Sequence, residues 1–167
     1  QESWGTLEQP PGSVLTAGPV VTIRYFDPRP FALLLDKLER DPALCGTGAD
    51  LFLHLMEAII DRASDVLSTN PAKVEAVWNH VFSGRKTVGF EKLITQLGRA
   101  HIANARIEQS LSGLARIFAF VALDDRIEKQ PETREHLNSL ARDAQSLISH
   151  NQAVAGSIGF QLSAAAG

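Results

Sequence analysis

Cysteine is almost absent from this chain. Cys45 is the single one in 167 residues, so no disulfide can close within the chain and no multi-cysteine zinc site can be built. That usage fits a reducing compartment. Positive charge is not in excess either: 16 Lys and Arg against 19 Asp and Glu leave a net charge of -3. Phosphate binding needs a basic patch, so nucleic acid is not an expected partner. No stretch approaches the roughly 18 consecutive apolar residues of a spanning helix. With no signal peptide in view, the chain is expected to be soluble. There is no phosphate-cradling glycine loop, no internal repeat and no low-complexity tract. What remains is a chain that is 44% hydrophobic, enough at this length for one domain with a real core.

Taken in order, residues 1–27 read as an extended, β-containing lead-in segment and residues 28–167 as a helical domain. Gln1–Gly12 carries adjacent prolines and little periodicity, with Trp4 available to dock on the core. Two β-rich runs, Ser13–Thr16 and Val20–Phe26, flank Ala17-Gly18-Pro19, which predicts a hairpin. Two strands alone are marginal in water, so they must pack on helices or belong to a larger sheet. Phe31, Leu34, Leu35 and Leu38 then predict a short amphipathic helix ending at Arg40. From Asp50 a stronger pattern begins with Leu51, Phe52, Leu55, Ile59, Ala63 and Val66. Asn70-Pro71 is a local break signal, since Asn favours a cap and Pro the first helical turn. Pro71–Phe82 is again helical, with Val74, Val77, Trp78 and Val81 along one side and Trp78 and Phe82 read as core. Ser83–Gly89, with two glycines, marks the next break.

The clearest periodicity predicts a long helix from about Phe90 to Arg126. One row is Phe90, Leu97, Asn104, Leu111 and Phe118, and the other is Leu93, Ala100, Ile107, Leu114 and Val121. Glu132–Gly167 carries a matching seam: Leu137, Ala144, Asn151 and Ile158 on one row, Leu140, Leu147 and Val154 on the other. A turn at Ile127–Pro131 would make the two an antiparallel hairpin, with Leu111, Leu114, Leu140 and Leu147 buried. Asn151 in the seam is of the kind that fixes register at some cost in stability. The expected fold class is therefore mainly α (α+β), a short β-hairpin on a bundle of long helices. No residue beyond His150 is charged, and the last helix stops without a cap or polar tail, so it is expected to be cut rather than finished.

Few residues offer chemistry. His54, Glu57, Asp61 and Asp65 follow one another at helical spacings of three and four, so their side chains form a neighbouring row that could bind a divalent cation. The plain reading is a solvated charged face helped by Arg62. The spacing is not that of a di-iron bundle, which needs Glu-x-x-His on two helices. Asp124-Asp125 would close the long helix where negative charge opposes its dipole, a cost that Arg126, Lys129 or a cation could offset. Ser146, His150 and Asp143 are hydrolase-type residues on one rod, without a strand-to-helix elbow or an oxyanion loop, so the chain is not expected to be an enzyme. His101, beside the seam, reads as a packed or hydrogen-bonded histidine.

Several motifs in order carry a resemblance. Val21-Thr22-Ile23-Arg24-Tyr25, Pro30-Phe31, Leu55-Met56-Glu57-Ala58-Ile59-Ile60-Asp61-Arg62 and Val66-Leu67 resemble the cytoplasmic domain of CorA-type metal-ion transporters. So do Glu108-Gln109-Ser110-Leu111 and Arg116, then Arg142-Asp143, Ser146-Leu147, His150, Ile158-Gly159-Phe160-Gln161-Leu162 and Ala165-Ala166-Gly167. The resemblance covers about Val20 to Gly167. It departs from the family in lacking the Gly-Met-Asn signature and both membrane helices, and in having Ser163 where many members carry aspartate.

The resemblance implies a subunit of a homopentameric channel for magnesium, or for cobalt, nickel or zinc in relatives. Its soluble domain would face the cytoplasm at the inner membrane, with residues 132–167 as a stalk that continues into the missing spans. It also implies one continuous helix through Asn70-Pro71, and continuity is the expectation here. Cations held by acids between subunits would keep the gate shut. Asp143, beside Arg142 on the stalk, is the first candidate for such a regulatory site, followed by Glu57, Asp61 and Asp65. The rival reading is a helical-hairpin interaction module that takes a partner helix in a groove without any metal.

Overall fold

The computed structural model describes residues 12–15, 19–24, 27–44, 46–82 and 90–166. Strands β1 (Gly12–Leu15) and β2 (Val20–Ile23) pair antiparallel, with Leu15 opposite Val20 and Gly12 opposite Ile23. Helix α1 (Arg29–Arg40) follows with Pro30 in its first turn, where a missing N–H costs nothing. A single 3-10 turn (Pro42–Leu44) leads to α2 (Gly48–Phe82). Then come α3 (Phe90–Val121), the one-turn α4 (Asp125–Glu128) and α5 (Pro131–Ala166). The protein is mainly α. The expected docking of Trp4 and the break at 83–89 lie outside the described residues, as do the side chains of Trp78 and Phe82.

Helices α2, α3 and α5 pack against one another as a three-helix bundle, with α1 and both strands laid on α2. Because α2 is covered on two sides, its apolar arc is wider than one stripe. Phe52 and Leu55 are buried as expected, but so are Ala49, Leu53, Met56, Ile60 and Leu67. Each fully buried Leu or Phe contributes about 1.5–3 kcal/mol, so this arc anchors the bundle. On α1 the buried residues are Pro30 and Leu34, whereas Leu35, expected inside, is exposed. One turn of α1 therefore faces α2 and the next residue round faces water. The Arg24 guanidinium lies over the Phe31 ring at 4.7 Å, joining the end of β2 to α1.

Helix α2 runs unbroken through Asn70-Pro71. Pro71 cannot donate to the carbonyl of Leu67, and the helix continues despite that one absent hydrogen bond. The long third helix, by contrast, ends at Val121 rather than near Arg126. Ala122 and Leu123 turn the chain, and Asp124 caps α4 by accepting from the Arg126 N–H at 2.9 Å. Asp124 thus sits at a helix start, where its charge is favourable, instead of opposing the end of α3. Arg126 closes a second link to the Asp124 carboxylate and donates from Nη1 to the Leu15 carbonyl at 3.0 Å. Lys129 pairs with Asp125 at 2.6 Å. The carboxyl of Asp124 is held down to about 2 by these Arg126 hydrogen bonds.

The α3–α5 seam follows the expected rows in part. Leu97, Asn104, Leu111 and Phe118 are buried on α3, and Leu137, Ala144, Asn151 and Ile158 on α5. Of the residues expected inside, Leu111, Leu114 and Leu140 are buried but Leu147 is only half-buried, and Ile148 takes its place. The buried set Leu137, Leu140, Ala144, Ile148 and Asn151 steps by three, four, four and three. A straight helix drifts by roughly 20° per heptad against a strict seven-residue repeat, and that drift carries Leu147 out and Ile148 in.

Candidate metal centre

The acidic row of α2 meets α5 along one side of the bundle. Thr133 Oγ1 at the start of α5 donates to Asp50 Oδ1 at 3.0 Å. Further along, His136 approaches Glu57, and Asp143 comes near enough to act electrostatically on Asp61. Both sets of numbers advance together, so α2 and α5 run in the same direction and bring two helical faces into one strip. The strip has two parts of different chemistry.

The first part is a cluster around Glu57. His54 and Glu57 share a face of α2 three residues apart, and His54 Nδ1 lies 3.1 Å from Glu57 Oε2. Lys37 of α1 donates to the same oxygen at 3.3 Å. The other carboxylate oxygen, Oε1, lies 3.9 Å from His136 Nε2. The two imidazoles flank the carboxylate with ring centres 5.1 Å apart and planes at 56°. All three residues are half-buried. One ligand atom from each of His54, Glu57 and His136 falls within 4.8 Å of the others. A shallow groove lined by Leu33, Leu34, Lys37, Ala58 and Asp61 opens onto Glu57 and His54.

Electrostatics follow from these neighbours. Burial pushes the Glu57 carboxyl upward, but the hydrogen bond from His54 and the Lys37 ammonium outweigh it and hold the group below the ordinary range. Burial lowers His136 and so favours its neutral ring, against the pull of the Glu57 charge, which favours the protonated one.

The second part is acidic and open. Asp61, Asp65 and Asp143 are all exposed. Asp61 is pushed above the ordinary carboxylate range by its partial burial and by the charges of Glu57, Asp65 and Asp143, with Lys37 opposing. Carboxylates in this relation repel, and a hard divalent cation would relieve the repulsion. Among the described residues no ion pair joins Asp143 to Arg142.

The four acids named from the sequence therefore divide. Asp61, Asp65 and Asp143 stand together, whereas Glu57 belongs to the histidine cluster. His136 was not singled out by sequence reasoning, because no local spacing connects it to His54 or Glu57. The available signal was weak: a histidine one turn into a helix whose partner already carried His-x-x-Glu. Ser146, His150 and Asp143 are exposed along α5.

Among the described residues no helix is long and apolar enough to cross a membrane. No family model matches the sequence. Comparison with curated proteins finds the magnesium transport protein CorA of Wolinella succinogenes, 24% identical over 127 residues, or 76% of this chain and 38% of that protein. The chain thus spans well under half the length of that relative. It is distantly similar to a CorA magnesium transport protein.

Proposed function

We propose that this chain is the regulatory part, lying outside the bilayer on the cytoplasmic side, of a CorA-like transporter of divalent cations. The observation that carries this reading is the 127-residue similarity to a magnesium transport protein. It coincides with a row of exposed carboxylates that repel one another. In this proposal magnesium, or cobalt, nickel or zinc in its stead, is both the transported substrate and the regulatory ion. Asp61, Asp65 and Asp143 are the residues that hold it. The donors are all carboxylates, which suits a hard cation, but bound through one oxygen each the three fill only about half of the roughly six positions that magnesium takes. The remaining ligands come from a second copy, so the ion binds at a subunit boundary and favours the assembled, closed ring, a homopentamer in the full-length protein. Loss of the ion leaves the carboxylates to repel, and the boundary loosens. The domain itself does no catalysis.

Sedimentation velocity on the wild type and on Asp143→Ala, with and without millimolar magnesium, tests this. Magnesium should raise the associated fraction of the wild type and leave Asp143→Ala unchanged. By linkage, magnesium affinity should rise with protein concentration.

A second reading is favoured by exposed Phe120 and Leu123, 78% and 79% accessible beside the α3–α4 turn. Large apolar side chains held in water suit a partner protein, as in a helical interaction module. Association that ignores metal across a wide protein range would favour it.

A further inference from the structure

We infer that His54, Glu57 and His136 form a second metal site, contained within one chain and selective for a borderline transition-metal ion, zinc first, over magnesium. Two imidazoles and one carboxylate are the donor set that zinc, cobalt and nickel take readily, whereas magnesium prefers oxygen ligands alone. The spacing is close to what such an ion needs. Ligand atoms about 2.0–2.2 Å from a tetrahedral zinc stand roughly 3.3 Å from one another. Here His54 Nδ1 and Glu57 Oε2 are 3.1 Å apart, and Glu57 Oε1 and His136 Nε2 are 3.9 Å apart. All three donor atoms fall within 4.8 Å, so rotations of half-buried side chains close the set without moving a helix. Three protein ligands leave the fourth position to water.

Lys37 gives this site its resting state. Its ammonium, on the exposed end of a long side chain, occupies Glu57 Oε2 at 3.3 Å. A cation is thus already held where the metal would sit, by a group that can swing into water. The groove lined by Leu33, Lys37 and Asp61 opens directly onto Glu57, which supplies the route by which an ion arrives. The outer shell is present too: Asp50, fixed by Thr133, lies on the His136 side and acts on that ring, and Asp61 adds negative charge beside Glu57. Because His54 and Glu57 come from α2 and His136 from α5, a bound ion would cross-link two helices of the bundle. The site needs no second copy and does not rest on the transport reading.

The test is titration of the whole chain with zinc chloride and, for spectroscopy, cobalt(II) chloride. Wild type should bind one zinc ion per chain, with affinity independent of protein concentration and unmoved by a large excess of magnesium. Cobalt should give the intense visible bands of a four-coordinate, nitrogen-containing site. His54→Gln and His136→Gln should each weaken zinc binding by at least about tenfold, while Lys37→Met should tighten it by removing the competing cation. A hydrogen-bond cluster with no metal role would not produce that gain. Asp143→Ala, which breaks the magnesium-linked association proposed above, should leave zinc stoichiometry unchanged. Since both histidines are half-buried, metal-free melting curves are recorded for each variant. Glu57→Gln repeats the test with the side-chain volume kept. The proposal is overturned if the His54→Gln/His136→Gln double variant, still folded, binds zinc as the wild type does, or if magnesium displaces zinc at comparable concentration. Exposed His101 and His150 would then account for the signal.

Discussion

Asn151 of α5 donates from Nδ2 to the backbone carbonyl of Asn104 on α3 at 3.1 Å, and both residues are fully buried. The two asparagines occupy matching places in otherwise apolar rows. An out-of-register pairing of the helices would bury each amide against leucine, so this contact selects one alignment. Gln152 repeats the alignment at the surface by donating to Glu108 at 3.1 Å.

Burying a charge at this point should be far worse than removing the amide. Asn151→Asp is expected to lose about 3 kcal/mol or more. Asn151→Leu, which trades a hydrogen bond for apolar contact, should stay within about 1.5 kcal/mol of wild type. Equilibrium urea unfolding of the two variants measures the difference. Equal losses would mean that shape, not polarity, governs the position.

Leu140 and Leu147 lie in one heptad row but not in one environment. Leu140 is 3% accessible and sits in the core cluster, while Leu147 is half-buried at its edge. Leu140→Ala should cost about 2–5 kcal/mol, and Leu147→Ala no more than half as much. A larger loss at Leu147 would return the seam to a strict seven-residue repeat.

Pro71 lies within α2. Replacing it with alanine restores a donor for the Leu67 carbonyl and supplies the strongest helix former in place of the weakest, so Pro71→Ala should raise stability by up to roughly 3 kcal/mol. Thermal and chemical unfolding both report it. A drop would show that the bundle depends on a bend at this residue.

The Asp124–Arg126 contact should make part of the stability pH-dependent. Asp124 has a carboxyl lowered from 3.8 to about 2 by Arg126. Its stabilisation is therefore complete above the unfolded value and is lost as the pH falls through the folded one. Asp124→Asn should melt below wild type near neutrality, and the gap should close between about pH 4 and about pH 2. A gap that stays constant through that range would show that the Asp124 charge is not its source, since Asn keeps the capping oxygen. Arg126→Met should show the same loss near neutrality and also free the Leu15 carbonyl.

Much of the fold was legible in the residues themselves. The period of the apolar rows in 90–121 and 131–166, the proline and acidic stretch between them and the β-rich runs before Pro28 rest on local chemistry. Local chemistry repeats along the chain whatever the rest of it does. The acidic row of α2 was legible for the same reason, since residues three and four apart on a helix must be neighbours. Local rules failed where two opposed effects of similar size met. At Asn70-Pro71 a break signal competed with propagation of a long helix, which continued, and at Leu147 a heptad competed with the drift of a straight helix. At Leu147 packing between helices decided, because it sums many contacts against one local preference. The centre at Glu57 was beyond any local rule. Whether His136 meets His54 or faces water depends on the rotation and register of α5 against α2. Those are settled by Asp50 with Thr133 and by the core between the two helices. The sequence by itself determined which faces were apolar and which were charged; only the tertiary structure decided which charged faces meet.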